Sequence, residues 1–328
     1  MEHTNIMNIL YTLDDGFYDQ LVVSFYSLIR QVDCELTVYV VSEHISEKYR
    51  NYLIQISKHS VNVVNIVFLM PPRLPKKLIP DRGSRGQYYR LFIEDIFQNI
   101  DIQRVLYLDA DTLIMNKDIQ RLETMSLQGK CLGVCLDPWS IRYRDALDLH
   151  KNSPIFNSGV MVIDVNLWKK EAIGQKVAQD INSHELFYQG DQGILNRVFE
   201  NNIMVVSAQF NVLDIYFSMS YHDMMEYRKA VHFYDEYEIN NCLTSPNIVH
   251  FTSSFLQNRP WIEGSTHPLS KYWLTLYKES TGDSMTLLKP KATVLILIKK
   301  ITPKFFSSMV LSFFQASVRP VIWKIKKK

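Results

Sequence analysis

The chain has 328 residues, 47% of them hydrophobic and 21% charged, a balance that excludes a disordered polymer and supports one large core or two modest ones. The formal net charge is +2, yet ten of the 36 Lys and Arg, and none of the 34 Asp and Glu, lie after Leu288, leaving the body with eight acids in excess. An acidic body argues against a nucleic-acid face on the main domain, whereas the basic end suits an anionic surface.

The start, Met1-Glu-His-Thr-Asn5, is polar and lacks the pattern of a secretory leader, and no apolar run reaches the roughly 18 residues of a membrane-spanning helix. A cytoplasmic protein is therefore expected. Residues 5–13 read as an apolar strand that ends at Asp14, and Leu21, Val22, Phe25, Leu28 and Ile29 then recur at helical spacing. A strand over 35–41, a helix over 46–57 opened by the capping-box-like Ser46-Glu-Lys-Tyr49, and a strand over 61–69 continue the alternation. Such alternation predicts an α/β fold whose mostly parallel central sheet is covered by helices, with ligands bound beyond the carboxyl ends of the strands.

Pro71-Pro-Arg-Leu-Pro75 through Pro80 forms a stiff connection that delivers Arg82, Arg85 and Arg90 near the start of a helix predicted over 87–96. Cations there oppose the helix dipole, so they either point into solvent or share the site with an anion, and Arg90 is assigned the anion. The stretch from Val105 to Met115 follows, apolar except for Asp109 and Asp111. Two acids wedged between buried segments repel each other unless a cation or donors compensate. Oxygen ligation from such an Asp-x-Asp turn suits Mg²⁺ or Mn²⁺, with phosphate oxygens completing the shell.

Residues 131–136 and 155–164 read as further buried strands, the second with Asn157, Ser158 and Gly159 at its mouth, where glycine permits close approach of a ligand or another backbone. Cys131 and Cys135 in the first, together with Cys34 and Cys242, lack metal-finger spacing and read as reduced thiols. A helix is predicted over 166–180, and another begins at Gly190-Asp-Gln-Gly-Ile-Leu-Asn196, with Asp191 and Gln192 in its first turn. The aromatics Phe210, Tyr216, Phe217, Tyr221, Tyr227, Phe233 and Tyr234 fill a core or, in part, offer a stacking platform for sugars. A short strand ends on His250, positioned as a third ligand for the cation of Asp109 and Asp111. Beyond 288, apolar blocks at 294–298, 305–314 and 321–323 alternate with lysines and close on Lys326-Lys-Lys328, the pattern of an interfacial membrane helix.

Taken in order, Tyr11-Thr-Leu-Asp-Asp15, Tyr88-Tyr-Arg-Leu91, Tyr107-Leu-Asp-Ala-Asp111, Phe156-Asn-Ser-Gly-Val160, Gly190 to Asn196, and His250 with Arg259-Pro-Trp261 resemble glycosyltransferase family 8, which includes the lipooligosaccharide galactosyltransferases and glycogenin. The ordered set spans roughly residues 5–280 and is far more specific than any one block. The resemblance implies a GT-A type fold over residues 1–288, followed by a membrane-association tail over 289–328. It further implies a retaining hexosyltransferase with UDP-glucose or UDP-galactose as donor, Mn²⁺ (or Mg²⁺) as cofactor and a glycan or glycolipid acceptor of the cell surface. By resemblance Asp109, Asp111 and His250 hold the metal. Tyr11, Thr12, Asp14 and Phe17 lie at the uracil and ribose, and Arg90, Asn157, Asp191 and Gln192 surround the donor sugar. Ala110 belongs to the nucleotide-binding turn and Arg259 faces the diphosphate. Two departures from the family pattern stand out: Ser253 and Ser254 replace a glycine in a lengthened loop, and the basic residue before Pro-Trp is Arg259 rather than lysine.

A nucleotidyltransferase would open with a glycine-rich phosphate loop, and Ile9-Leu-Tyr-Thr-Leu-Asp14 has no glycine. A non-catalytic nucleotide-sugar or glycan-binding protein on the same fold is the second reading, and the presence of Asp109, Asp111 and His250 together favours the enzyme.

Overall fold

The computed structural model describes residues 6–79, 85–252, 258–290 and 313–326. Arg82, Ser253, Ser254, the 294–298 block and the start of the 305–314 block lie outside the described residues. A seven-stranded sheet has the order β3-β2-β1-β4-β7-β6-β8, formed by β1 (Ile6–Thr12), β2 (Glu35–Val41), β3 (Val64–Leu69), β4 (Arg104–Leu108), β6 (Leu132–Leu136), β7 (Phe156–Asp164) and β8 (Met204–Val205). All its strands share one direction except β7, which runs antiparallel to both β4 and β6. A second sheet joins β5 (Thr112–Ile114), β10 (Ile248–His250) and β9 (Val212–Leu213).

The strands are apolar on both faces because both faces are covered. Met7, Ile9 and Tyr11 of β1 pack with Leu21, Val22 and Phe25 of helix Tyr18–Ile29 on one side. Leu10 packs on the other with Leu91, Trp168 and Phe199. A third apolar cluster under the small sheet takes Tyr216, Tyr227, Phe251, Trp261 and Trp273, with Phe217, Tyr221, Phe233 and Tyr234 half-buried against it. The aromatics of this region thus fill a core. The thiols are all free, and only Cys34 is not fully buried.

Several local expectations are corrected. The helix predicted over 87–96 is a 3-10 turn, Gly86–Leu91, and a single helical turn, Ile93–Ile96, separated by the non-helical Phe92. The helix predicted over 166–180 is two helices, Val165–Lys170 and Ile173–Ser183, because Ala172 before the second takes a left-handed φ of 50°. Helix Glu47–Lys58 starts after Ser46, but the Ser46 side chain makes no capping bond. Its third helical position is Tyr49, which cannot reciprocate as a Glu would and instead donates its hydroxyl to Asp19. At the other end of the chain, a π-helical turn, Phe314–Val318, leads into helix Arg319–Lys326, which rests on helix Ile141–Ala146. Ser140 Oγ donates to the carbonyl of buried Ala316 at 2.8 Å. No helix among the described residues is long and apolar enough to cross a membrane.

Candidate active site

The reversal of β7 builds the site. Leu108 at the end of β4 pairs with Val160, so the start of β7 lies where β4 stops, and the Asp109 N–H donates to the Gly159 carbonyl at 2.7 Å. The chain then turns through buried Ala110, its turn closed by Thr112 Oγ1 donating to the Asp109 carbonyl at 2.8 Å, and enters β5. Antiparallel pairing of β5 with β10 sets His250 opposite Thr112, and Phe251 N–H donates to the Asp111 carbonyl at 2.9 Å. Residues far apart in sequence thereby meet.

Ligand atoms of Asp109, Asp111 and His250 lie within 4.8 Å of one another. His250 Nε2 is 3.4 Å from Asp109 Oδ2 and 3.3 Å from Asp111 Oδ1. The opposite oxygens are each taken by an arginine: Asp109 Oδ1 accepts from Arg90 Nη2 at 2.6 Å, and Asp111 Oδ2 accepts from Arg259 Nη2 at 3.0 Å. Each acid thus presents one oxygen to a common point and has the other held. Two carboxylate oxygens and one imidazole nitrogen suit a divalent cation such as Mg²⁺ or Mn²⁺.

The tautomer of His250 follows from a chain of bonds that starts on a backbone donor. Gly159 N–H donates to Asn157 Oδ1 at 3.0 Å, so that atom is an acceptor and Asn211 Nδ2 must donate to it, at 2.9 Å. Asn211 Oδ1 then faces His250 Nδ1 at 3.0 Å, which places a proton on Nδ1 and leaves Nε2 directed at the two acids. Burial lowers the basicity of His250, but the hydrogen bonds and charges of Asp109 and Asp111 outweigh it and lift the pKa to about 10. Burial likewise opposes ionisation of Asp109, yet the charge of Arg90, with His250 and Tyr107, holds its carboxyl well below the usual range.

The second half of the site radiates from Arg90. Its buried guanidinium donates to the Ser158 carbonyl at 2.9 Å, lies 3.3 Å from Asp191 Oδ2 and stands 4.3 Å over the Tyr107 ring. The predicted anions for Arg90 are therefore carboxylates of the protein. Asp191 Oδ2 also accepts from Ser158 Oγ at 2.9 Å. Burial, more than offsetting Arg90, pushes the Asp191 carboxyl up to about 6, with Asp109 adding to the rise. Gln192 Oε1 accepts from Asn157 Nδ2 at 3.2 Å, and its Nε2 donates to Asp137 Oδ2 at 3.2 Å. Helix Asp191–Val198 is held to β7 by Asn196, whose amide exchanges two hydrogen bonds with the Phe156 backbone at 2.9 and 3.0 Å.

The remaining expected residues fall as follows. Thr12 Oγ1 lies 3.2 Å from the Tyr107 hydroxyl, which donates to Asp109 at 2.8 Å. Half-buried Phe17 lies with its ring 6.0 Å from the Arg259 guanidinium, and Asp14 caps the turn before it, accepting from Gly16 N–H at 3.3 Å. Tyr11, next to Thr12 at the end of β1, has its ring enclosed in the core and its hydroxyl bonded to Ser24 Oγ at 3.0 Å. Arg85 bonds the Pro75 carbonyl at the surface and does not join the cluster. Sequence reasoning missed Tyr107, Asp137 and Asn211, and noted Ser158 only as a small polar residue at the mouth of its strand. Tyr107 was within reach, because a residue two before Asp109 on a strand shares its face.

A mostly parallel sheet that presents an Asp-x-Asp turn beyond β4, completed by a histidine from a second small sheet, defines a GT-A glycosyltransferase. This chain belongs to Glycosyl transferase family 8, whose sequence profile matches residues 8–264. It is 23% identical over 273 residues to General stress protein A of Bacillus subtilis (82% of this chain, 92% of that one), and 24% identical over 291 residues to the lipopolysaccharide 1,3-galactosyltransferase of Salmonella typhimurium (86% and 81%). Among solved structures, the galactosyltransferase LgtC in complex with donor and acceptor sugar analogues superposes with a TM-score of 0.66 at 21% identity, covering 86% of this chain and 98% of that one, a likeness that establishes the fold.

Proposed function

We propose that the chain is a metal-dependent, retaining hexosyltransferase that moves glucose or galactose from a UDP-sugar to a sugar acceptor of a cell-surface glycan such as lipopolysaccharide or capsule. The observation that carries this reading is the convergence of one oxygen each from Asp109 and Asp111 with Nε2 of His250, while Arg90 and Arg259 hold the opposite oxygens. When bound, Mn²⁺ or Mg²⁺ at these atoms supplies charge stabilisation to the departing diphosphate. Arg259, anchored through Nε on the Phe251 carbonyl at 2.9 Å, adds a second positive charge at that edge. Thr12, Asp14 and Phe17 take the uridine, with the Phe17 ring as stacking surface.

On the sugar side, Arg90, Asn157, Asp191 and Gln192 orient the hexose. An amide such as Gln192 is a poor nucleophile, and the Asp191 carboxylate is already engaged by Ser158 and Arg90. Both facts favour acceptor attack from the face the diphosphate leaves, with a phosphate oxygen receiving the acceptor's proton, over a covalent intermediate. The tail of residues 289–328 serves as a peripheral anchor on the cytoplasmic face of an anionic membrane. Its exposed Phe313 and Ile325 and its basic composition support that role.

The test is UDP release from a panel of UDP-sugars by purified protein, with Mn²⁺ and with chelator, following the anomer formed. Mn²⁺-dependent release from UDP-glucose or UDP-galactose with retained configuration is expected. Absence of both release and UDP binding would overturn the transferase in favour of a non-catalytic glycan-binding protein.

A further inference from the structure

Behind the metal-facing residues lies a pair that the reaction chemistry above does not use. Asp214 and His267 are wholly enclosed, with Nε2 of the histidine 3.5 Å from Oδ1 of the aspartate. Neither carboxylate oxygen of Asp214 nor Nε2 of His267 has a hydrogen-bond partner at normal length. The rings of Phe217 and Phe251 meet the imidazole edge-on at 4.8 and 5.0 Å, so its flanks are apolar. The protonation of the pair is set by geometry. His267 Nδ1 accepts the Leu269 N–H at 3.1 Å and so carries no proton, which leaves the proton on Nε2, the nitrogen 3.5 Å from Asp214 Oδ1. Burial acts the same way, lowering the His267 pKa to about 4 and raising the Asp214 carboxyl well above its usual range against the opposing charges of Arg259 and His250.

The two residues join segments that each end in the site. Asp214 directly follows Leu213, the β9 residue paired with His250, and lies three positions after Asn211, which orients that histidine. His267 ends the loop that carries Arg259. That loop is closed on itself by Asn258 Oδ1, which accepts from Thr266 N–H at 2.7 Å and Thr266 Oγ1 at 3.1 Å. Phe251 sits at the junction: its N–H is bonded to Asp111, its carbonyl to Arg259 Nε, and its ring rests on His267. Residues 258–267 are thus tied to Phe251 through the Arg259 side chain and approach Asp214 through His267.

We infer that Asp214 and His267 are positioning residues, forming a buried clamp that fixes the Arg259 loop against β9 and so sets the guanidinium that receives the nucleotide diphosphate. The clamp acts first on Arg259. If the guanidinium shifts, Asp111 loses one donor to Oδ2, but its backbone stays held by the Phe251 N–H and the β5–β10 ladder, and His250 stays held by Asn211. This inference rests on the UDP-sugar reading of the cleft.

The experiment is calorimetric titration of the full chain with Mn²⁺ alone and with UDP in saturating Mn²⁺, for wild type, His267→Phe, Asp214→Leu and Asp214→Asn. His267→Phe keeps an aromatic ring and loses the Nε2–H, whereas Asp214→Leu loses the acceptor, so either variant suffices if the other does not fold. Both are expected to weaken UDP about tenfold while changing Mn²⁺ binding less than twofold. Asp214→Asn, which retains an oxygen for the Nε2–H, should stay within twofold of wild type for both ligands. Unchanged UDP affinity in both disrupting variants, an equal loss for Mn²⁺ alone, or an Asn variant as weak as the Leu variant would each overturn the clamp. A wild type that binds Mn²⁺ but no UDP would overturn the nucleotide-sugar reading and this inference with it.

Discussion

Gly159 lies so close to His250 that a β-carbon on it would stand 2.1 Å from Cε1 of the imidazole and 2.8 Å from Asp109 Oδ2. The glycine is required by the packing of the His250 and Asp109 side chains against β7. Gly159→Ala must push His250 off its acids while leaving the strand's backbone conformation open to alanine. We expect Mn²⁺ affinity to fall at least about tenfold with circular dichroism unchanged, since misplaced ligands lose affinity without loss of fold. Wild-type Mn²⁺ affinity in this variant would show that His250 is not a ligand.

Asp111→Asn preserves shape and removes a charge from the Asp109, Asp111 and His250 cluster. Metal-dependent turnover should drop by about 10³-fold, in line with the several kcal/mol that a bound cation contributes to a charged transition state. Full activity measured at saturating Mn²⁺ would sink the metal assignment.

Arg90 neutralises Asp109 and Asp191 where neither is well solvated. Arg90→Met keeps the bulk and leaves both acids uncompensated. In chelator the variant should be less stable by about 3 kcal/mol, the scale of a broken buried ion pair. Added Mn²⁺ should restore part of that loss, because the cation replaces positive charge beside Asp109 and binds the folded form. Urea unfolding with and without Mn²⁺ is the check, and an equal deficit in both would contradict the charge argument.

Asp191 carries the pH dependence. Its folded pKa of about 6 is above the ordinary aspartate value, so the folded chain binds this proton more tightly than the unfolded chain does. The group's contribution to stability is therefore present at low pH and declines as pH rises from about 4 to about 6. If its carboxylate orients the donor sugar, kcat/KM should rise with pH through about 6. The residual activity of Asp191→Asn should be flat over the same interval, and an unchanged acid limb in that variant would assign the titration elsewhere.

Truncation after Leu288 removes ten of the chain's basic residues. The shortened protein should be released from anionic vesicles in a sedimentation assay while still binding UDP. Unchanged vesicle binding would place the membrane contact on the body.

The sequence made the strands and the Asp-x-Asp turn legible because both depend on local pattern: short apolar runs with acids at their ends. It showed β7 as a strand but not its direction, since periodicity is the same read either way, and direction is what brings Gly159 to Asp109. The break at Phe92 and the left-handed Ala172 were invisible because tertiary packing, not propensity, sets them. Asn211 carries no local signal at all. It acquires its role only when β9 pairs beside β10.

The reversed strand has a further consequence for how this enzyme can diversify. Leu136 pairs with Phe156, so everything between them leaves the sheet and returns to it a strand spacing apart, ~5 Å, on the rim of the cleft. Residues 137–155 are nonetheless anchored beyond that pair: Asp137 bonds Asn157 and Gln192, and buried Arg144 donates to the carbonyls of Trp139, Ser140, Ser153 and Val231. Change confined to the segment's exposed positions, among them Ile141, Arg142, Asp145 and Asp148, can therefore reshape the surface beside Asp137 without re-registering any strand.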